Sequence, residues 1–428
     1  MSRPNPSANR RPGNGHEVHL FDEVRPLEEV LVWGEPGCET LLGQLLPISR
    51  SLFHTYYEVP QARQEFSRMQ ALLRGAGVQV VRVKDVYAEL LMERDIPDLP
   101  TSLSGLEQQL LAKADKFYET YYQEKEADLK ADGLSLSPAQ LFAQVRTDIH
   151  QVLQEDAALY GEQGAIRLNH ALSLAREMPI SDIFYGRDQS NAIGDRIVLS
   201  GMRYDIRKPE VEIYEEALRY MGYGDFLVKV EHGPIEGGDS IVFGDTCYIG
   251  VGARTSLAAV TELYEKIGPE LEANGLRVVA IVNQKHAAET PHADNPAGEL
   301  MRIMHLDMFW NPLDEKSVIA FGEEIDRRRA LEFSLEDGKP VYRDTGSFRE
   351  YLQARELDIL EIDAAEQSNF AANIVNLGNH RILVPLSRNH RVLAELERRG
   401  FTILQAEISK LVGGYGAVHC LTAPIRRS

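Results

Sequence analysis

Five times along this chain a run with helical spacing gives way to a short stretch of Val, Ile and Leu. The copies run from Leu72 to Val83, Ala217 to Val230, Leu271 to Val282, Tyr351 to Ile362 and Leu396 to Leu404. They read LLRGAGVQVVRV, ALRYMGYGDFLVKV, LEANGLRVVAIV, YLQARELDILEI and LERRGFTIL. Apolar residues at helical spacing, usually a glycine, and then a β-prone run mark a helix that stops and a strand that starts. Other strand signals fall between the copies, at Glu29–Trp33, Arg196–Ser200, Ser240–Gly250, Ser317–Phe321, Asn373–Leu377 and Arg381–Pro385. Five similar α/β units predict pseudo-symmetric packing around an axis. Ordinary α/β alternation is the plainer alternative, and the uneven spacing of the copies keeps it open.

The first interval is much the longest, and residues from about 86 to 178 fill it with helix signals. Leu106, Leu110, Ala114, Phe117 and Tyr121 fall on one helical face. Ser137-Pro138-Ala139-Gln140 reads as a capping box with proline in the first turn, opening a helix along Leu141, Val145, Ile149 and Leu153. The interval is predicted to be an all-helical insertion, and its Tyr/Phe stripe to be packing.

With 428 residues, 43% of them hydrophobic, the chain can build one elaborate domain or two to three ordinary ones. A formal charge of −19 argues against a nucleic-acid partner, which needs a Lys/Arg surface, and suits a cationic small molecule. Cys38, Cys247 and Cys420 lie far apart and form no C-x-x-C pair. That sparse, odd count predicts free thiols and a cytoplasmic location. No apolar run is long enough for a membrane span. Residues 1–16, rich in Pro, Asn, Arg and Gly, read as a disordered tail, not a secretory signal. The oligomeric state, including a homo-oligomer, is left open.

Four islands hold residue types that do chemistry. Gly413-Gly414-Tyr415-Gly416 leads through Ala417-Val418-His419 to Cys420 and a short apolar strand. Glycines there would free the backbone for positive φ and close approach, and a thiolate on such a loop could be an exposed, aimed nucleophile. Taken alone, a buried structural cysteine fits as well. Ile183-Phe184-Tyr185-Gly186-Arg187-Asp188 is followed by Arg203, Arg207 and Glu210. Glu236-Gly237-Gly238-Asp239 opens a strand pair that ends near Arg254. Met304-His305-Leu306-Asp307 would put His305 and Asp307 on one side of a strand, a general acid/base beside a carboxylate. Singly, an acidic turn or a His-x-Asp is an ordinary surface feature.

In this order the islands resemble the guanidino-group-modifying enzymes of the pentein superfamily, and within them the arginine deiminases. The resemblance covers nearly all the chain after residue 17. It implies a five-fold α/β propeller over residues 17–428 with a helical insertion after the first repeat. It implies Cys420 as the nucleophile on a guanidinium carbon, His305 as the acid/base, and Glu236 as its orienting partner. Asp188 and Asp307 would grip the guanidinium, Arg207 and Arg254 would hold a substrate carboxylate, and Asp239 would stabilise the turn. No cofactor and no metal enter such chemistry. Hydrolysis of arginine to citrulline and ammonia is the simplest activity implied. Transfer of the amidino group to an acceptor amine, or ligand binding without catalysis, are the alternatives. The chain departs from the family pattern at the substrate's amino-acid end. Phe184-Tyr185-Gly186-Arg187-Asp188-Gln189 is one residue longer than the usual motif and lacks its proline. Ser181-Asp182 lies where an asparagine is expected, and Tyr415 where an arginine often precedes the cysteine.

Overall fold

All five joints form a helix end, one residue of positive φ, and a strand. The computed structural model describes residues 17–53, 56, 58–131, 136–283, 304–386 and 388–428, so the tail expected over residues 1–16 lies outside the described residues. Gly77, Gly222, Gly275 and Gly400 take φ of 91°, 93°, 83° and 86°, a left-handed backbone that costs glycine nothing. The fourth joint has no glycine, and Glu356 makes the same turn at φ 57°.

Each joint closes a unit in which two antiparallel strands lead through a helix to a third strand, parallel to the second. In the first unit β1 (Leu27–Val32) runs parallel to β2 (Gln79–Arg82) across the helix Val59–Gly75. The second pairs β3 (Ser190–Ile193) with β4 (Arg196–Leu199), then returns through Lys208–Tyr220 to β5 (Leu227–Lys229). The third uses β6 (Ser240–Phe243), β7 (Thr246–Val251), the helix Leu257–Ala273 and β8 (Arg277–Asn283). The strand pair expected over Ser240–Gly250 forms as a hairpin that turns at Gly244, where φ is 60°.

The fourth unit begins with β9 (Trp310–Asp314) and β10 (Ser317–Phe321). Its crossover first forms a hairpin of β11 (Arg328–Glu336) and β12 (Lys339–Ser347), and β11 adds to β8 of the third sheet. The helix Phe348–Ala354 then leads to β13 (Asp358–Ile362), parallel to β10. The fifth is β14 (Val375–Gly378), β15 (Arg381–Pro385), the helix His390–Arg398 and β16 (Thr402–Ala406). Finally β17 (Ala423–Arg427) pairs antiparallel with β1 and supplies the strand the first unit lacks. The fold is mixed α/β, with five separate sheets among the described residues.

Between β2 and β3 the chain is helical, over Val83–Met92, Leu103–Ala131 and Pro138–Asn169. The Ser137–Gln140 capping box forms, and Leu106, Leu110, Ala114, Phe117, Leu141, Val145, Ile149 and Leu153 are buried. Buried charge moors these helices to the first unit: Arg63 donates to Asp156 at 2.8 Å and to Glu155 at 2.7 Å. Such pairs fix geometry more than they stabilise, because each buried ion has lost its water.

The joints give a conformational test free of packing. A Cβ at Gly400 would meet no atom within 4 Å, and Glu356 is exposed. Gly400→Ala is expected to cost about 1–2 kcal/mol, the penalty of a left-handed L-residue, and Glu356→Gly to recover part of that penalty. Urea midpoints should therefore move in opposite directions for the two variants; movement in the same direction would contradict this account.

Candidate active site

The turns just ahead of β3, β6, β9, β14 and β17 converge on one buried cluster. They bring Asp188, then Glu236 to Asp239, then His305 and Asp307, then Asn373, and last His419 and Cys420. Arg187 ties the first turn to the last. Its backbone N–H donates to the Cys420 carbonyl at 3.0 Å, and its buried guanidinium donates to Thr422 O at 2.9 Å.

His305 is fully buried; its Nε2 lies 2.9 Å from Glu236 Oε2 and its Nδ1 lies 3.7 Å from Asp188 Oδ1. Burial alone would lower the imidazole pKa, but Asp188, Glu236 and Asp239 outweigh it and hold it at about 10. At neutral pH His305 is therefore an imidazolium. Glu236 also accepts from Arg254 at 3.1 Å and from the Arg203 backbone at 2.9 Å. Against the opposing effect of burial, Arg254 and His305 keep this carboxyl well below the usual carboxylate range. Gly238 is required by packing: a Cβ there would lie 2.6 Å from His305 Nδ1, and one on Gly237 only 1.9 Å from Arg187 O. Asp239 turns inward to accept from the Leu306 backbone at 2.9 Å, and burial pushes its pKa up to about 7.

That bond changes the shape expected of the His-x-Asp island. Asp239 holds Leu306 in a single helical turn, Leu306–Met308, so His305 and Asp307 do not share a strand face. They still serve one cluster, on different partners. Asp307 Oδ2 lies 2.7 Å from His419 Nδ1 and 3.6 Å from Cys420 Sγ.

Cys420 lies just ahead of β17 and is 2% exposed, as the buried-cysteine reading has it, but receives no positive φ from the glycines around it. Tyr415, at φ 70°, makes the left-handed turn instead. Gly414 and Gly416 give close approach, since a Cβ on Gly414 would lie 2.4 Å from the Tyr185 hydroxyl and one on Gly416 2.5 Å from its ring. Asn373 Nδ2 donates to the sulfur at 3.2 Å, while its Oδ1 accepts from the His419 backbone at 3.0 Å. Burial, then Asp307 and Asp188, push the Cys420 thiol well above its ordinary pKa.

Besides Asp239 Oδ2, three buried polar atoms in this cluster have no hydrogen-bond partner among the described residues: Asp188 Oδ1, Asp307 Oδ1 and His305 Nδ1. Orphaned groups in a core carry a desolvation cost that a ligand removes. Two carboxylate acceptors and one imidazolium donor, beside a sulfur, suit a planar cation rich in N–H groups. Asp188, Glu236 and His305 also present donor atoms within 4.8 Å of one another, a set that would take a metal only after His305 lost its proton.

Arg207 and Arg254 line the same cavity as Cys420 and Asp188. Neither presents the free cationic clamp expected for a carboxylate. Arg207 pairs with Asp188 at 2.8 Å and Glu210 at 2.9 Å, and Arg254 pairs with Glu236 while resting 4.8 Å from the Tyr204 ring centroid. The reason is charge balance: buried carboxylates this dense need cations nearby. Asn373 and Glu23, which reaches Arg187 at 3.2 Å and His419 at 3.4 Å, carried no motif that sequence reading could find.

The pKa directions give a test. Alkylation of Cys420 by neutral iodoacetamide, located by mass spectrometry, should be slow near neutrality and rise roughly tenfold per pH unit up to about pH 9, since only thiolate reacts. Fast, pH-independent alkylation near pH ~6 would point instead to a standing thiolate–imidazolium pair.

The family model for arginine deiminase matches residues 49–427 of this chain. Arginine deiminase of Metamycoplasma hominis is 23% identical over 432 residues, covering 96% of each chain. That of Halobacterium salinarum is 26% identical over 322 residues, covering 60% of this chain and 66% of its own. An amidinotransferase of the saxitoxin pathway of Microseira wollei superposes with a TM-score of 0.53 at 15% identity, covering 96% of this chain and 97% of its own. DDAH of Pseudomonas aeruginosa, solved with citrulline, gives 0.51 at 14% identity, with 93% and 99% covered. These two structural likenesses are likenesses of fold.

Proposed function

This chain belongs to the arginine deiminase family, within the pentein superfamily, and is an amidine hydrolase; from that membership and the cluster geometry we propose that it hydrolyses arginine to citrulline and ammonia through Cys420. The observation that carries the reading is the trio of orphaned atoms, Asp188 Oδ1, Asp307 Oδ1 and His305 Nδ1, in the buried cluster where Asp307 also reaches the Cys420 sulfur.

On this reading Asp188 and Asp307 accept N–H bonds from the guanidinium and hold its carbon against Sγ. The bound cation offsets the two carboxylates that raise the thiol pKa, and the thiol releases its proton to solvent. The sulfur then forms a bond to the central carbon, giving a tetrahedral adduct. His305, already protonated, donates to one nitrogen; the C–N bond breaks and ammonia leaves a thiouronium on Cys420. Neutral His305 next takes a proton from water as the oxygen bonds to carbon. The C–S bond breaks as the adduct's hydroxyl proton passes to the departing sulfur, and the ureido product leaves the thiol and the imidazolium both restored. Glu236 keeps His305 oriented and charged, Asp239 fixes the turn, and Asn373 steadies the sulfur.

The same reading makes residues 17–428 one catalytic body, with five units closed around an axis and the helices of about 86–178 inserted after the first. That five successive turns supply the cluster supports this arrangement. Hydrolysis, not transfer to an acceptor amine, is supported by sequence relatives named as arginine deiminases; product analysis with and without an added amine separates the two.

Resolving citrulline, ornithine, urea and ammonia after incubation with arginine is the direct assay. Cys420→Ala should abolish turnover, since no covalent intermediate can form, while Cys38→Ser and Cys247→Ser should keep most of it. Substantial activity in Cys420→Ala would defeat the mechanism. Gly238→Ala should reduce kcat by at least about tenfold while the protein stays folded, because the methyl must displace the His305 ring. Wild-type kcat in that variant would remove His305 from the reaction.

A further inference from the structure

Asp182 lines the cavity that contains Cys420, Asp188, Arg207 and Arg254, and no step above uses it. Its side chain is 5% exposed, and among the described residues its carboxylate forms no hydrogen bond or ion pair. Asp188 is tied to Arg207 at 2.8 Å, so for a ligand whose guanidinium lies at Cys420 and Asp188, the charged lining left at its far end is Asp182, Arg207 and Arg254.

The charge at that far end is already spoken for. Arg207 donates from Nη1 to Asp188 and from Nε and Nη2 to Glu210, and Arg254 is paired with Glu236. Glu210 in turn takes a further bond from Gln189 at 2.6 Å. Asp182 is the carboxyl group left over; burial raises its pKa well above the ordinary carboxylate range, so an incoming cation favours its ionised form. A second carboxylate brought in on a ligand would add a like charge where the cations are committed. An ammonium would pair with Asp182 instead.

We propose that Asp182 recognises an ammonium on the substrate's tail, so that this site selects guanidino compounds by a distal amine and not by a distal carboxylate. The inference rests on the guanidine-hydrolase reading for the position of the guanidinium. Arginine, which carries both groups, is bound through its α-ammonium, and its carboxylate is dispensable.

The test compares tails on the full-length protein. Agmatine and arginine methyl ester, with an ammonium and no carboxylate, should be hydrolysed within about tenfold of arginine in kcat/KM. γ-Guanidinobutyrate and Nα-acetylarginine, with a carboxylate and no ammonium, should fall about ten- to hundredfold below agmatine, the worth of one charge-assisted bond. γ-Guanidinobutyrate equal to or better than agmatine would overturn the proposal in favour of Arg207 and Arg254 as a carboxylate clamp. Calorimetric titration of Cys420→Ser with agmatine and with γ-guanidinobutyrate reads the same preference without turnover. Selective agmatine binding with no ammonia from the wild type would therefore refute the hydrolase and sustain the tail assignment. Equal affinities, or binding of neither, would overturn it. In Asp182→Asn, matched to wild type by circular dichroism, the agmatine to γ-guanidinobutyrate ratio should fall by at least about tenfold; an unchanged ratio would assign Asp182 a packing role. Should that variant not fold, the wild-type tail series and the Cys420→Ser titration still decide.

Discussion

The proton on His305 lets carboxylates from two different turns lie side by side without water. Glu236 is 2.9 Å from one ring nitrogen and Asp188 is 3.7 Å from the other, and both carboxylates are buried. Without that charge, Asp188 and Glu236 would repel across a medium too poor in water to screen them. Everything nearby follows the same requirement. Arg254 pairs with the same Glu236 oxygen that faces His305, Arg207 is shared between Asp188 and Glu210, and Arg187 answers Glu23. The cluster is thus an alternation of charges that holds its shape because removing any member strands another. It also explains why the sulfur can be silent at rest: Cys420 sits on the negative side of the alternation.

The units that build this cluster are alike in how they deliver residues. In every unit the contribution comes from the turn entering the first strand, where the backbone has left one sheet and not yet joined the next. Polar side chains there are free of ladder geometry, and the rigid strands behind them fix their aim. Glycines enter where two such turns collide. Gly238 lets the His305 ring lie on the backbone, and Gly416 does the same for Tyr185, with the Cys420 side chain close behind.

The repeat was legible in the sequence because its signals are local. Helical spacing, a stop, and a β-prone run are each written in adjacent residues, and all five joints form. The helical interval was legible for the same reason. What was not legible depended on partners distant in sequence. His305 and Asp307 alternate as if on a strand, yet a bond to Asp239, 67 residues away from Leu306, coils them into a turn. Asn373 shows nothing in its own neighbourhood to mark it as the donor to a sulfur 47 positions on. Whether Cys420 is exposed or buried stayed open on the same ground, because what buries it comes from other units. Arg207 and Arg254 were found as charged residues in the right place, but the identity of their partners was not written beside them.

The pairing of β17 with β1 bears on the order in which this molecule assembles. Sheets two to five are each begun by strands close together in the chain, whereas Leu31 meets Ala423 across nearly the whole sequence. Closing so long a loop is entropically the least favourable step and gains nothing until its ends meet, so local sheets form ahead of it. Cys420 lies directly before the strand that makes this closure. An intermediate with every local sheet finished therefore still has no nucleophile in place, and partial opening of the native state at this seam removes chemistry before it removes structure. Inactivation would precede unfolding, with the protein ageing from its seam inward.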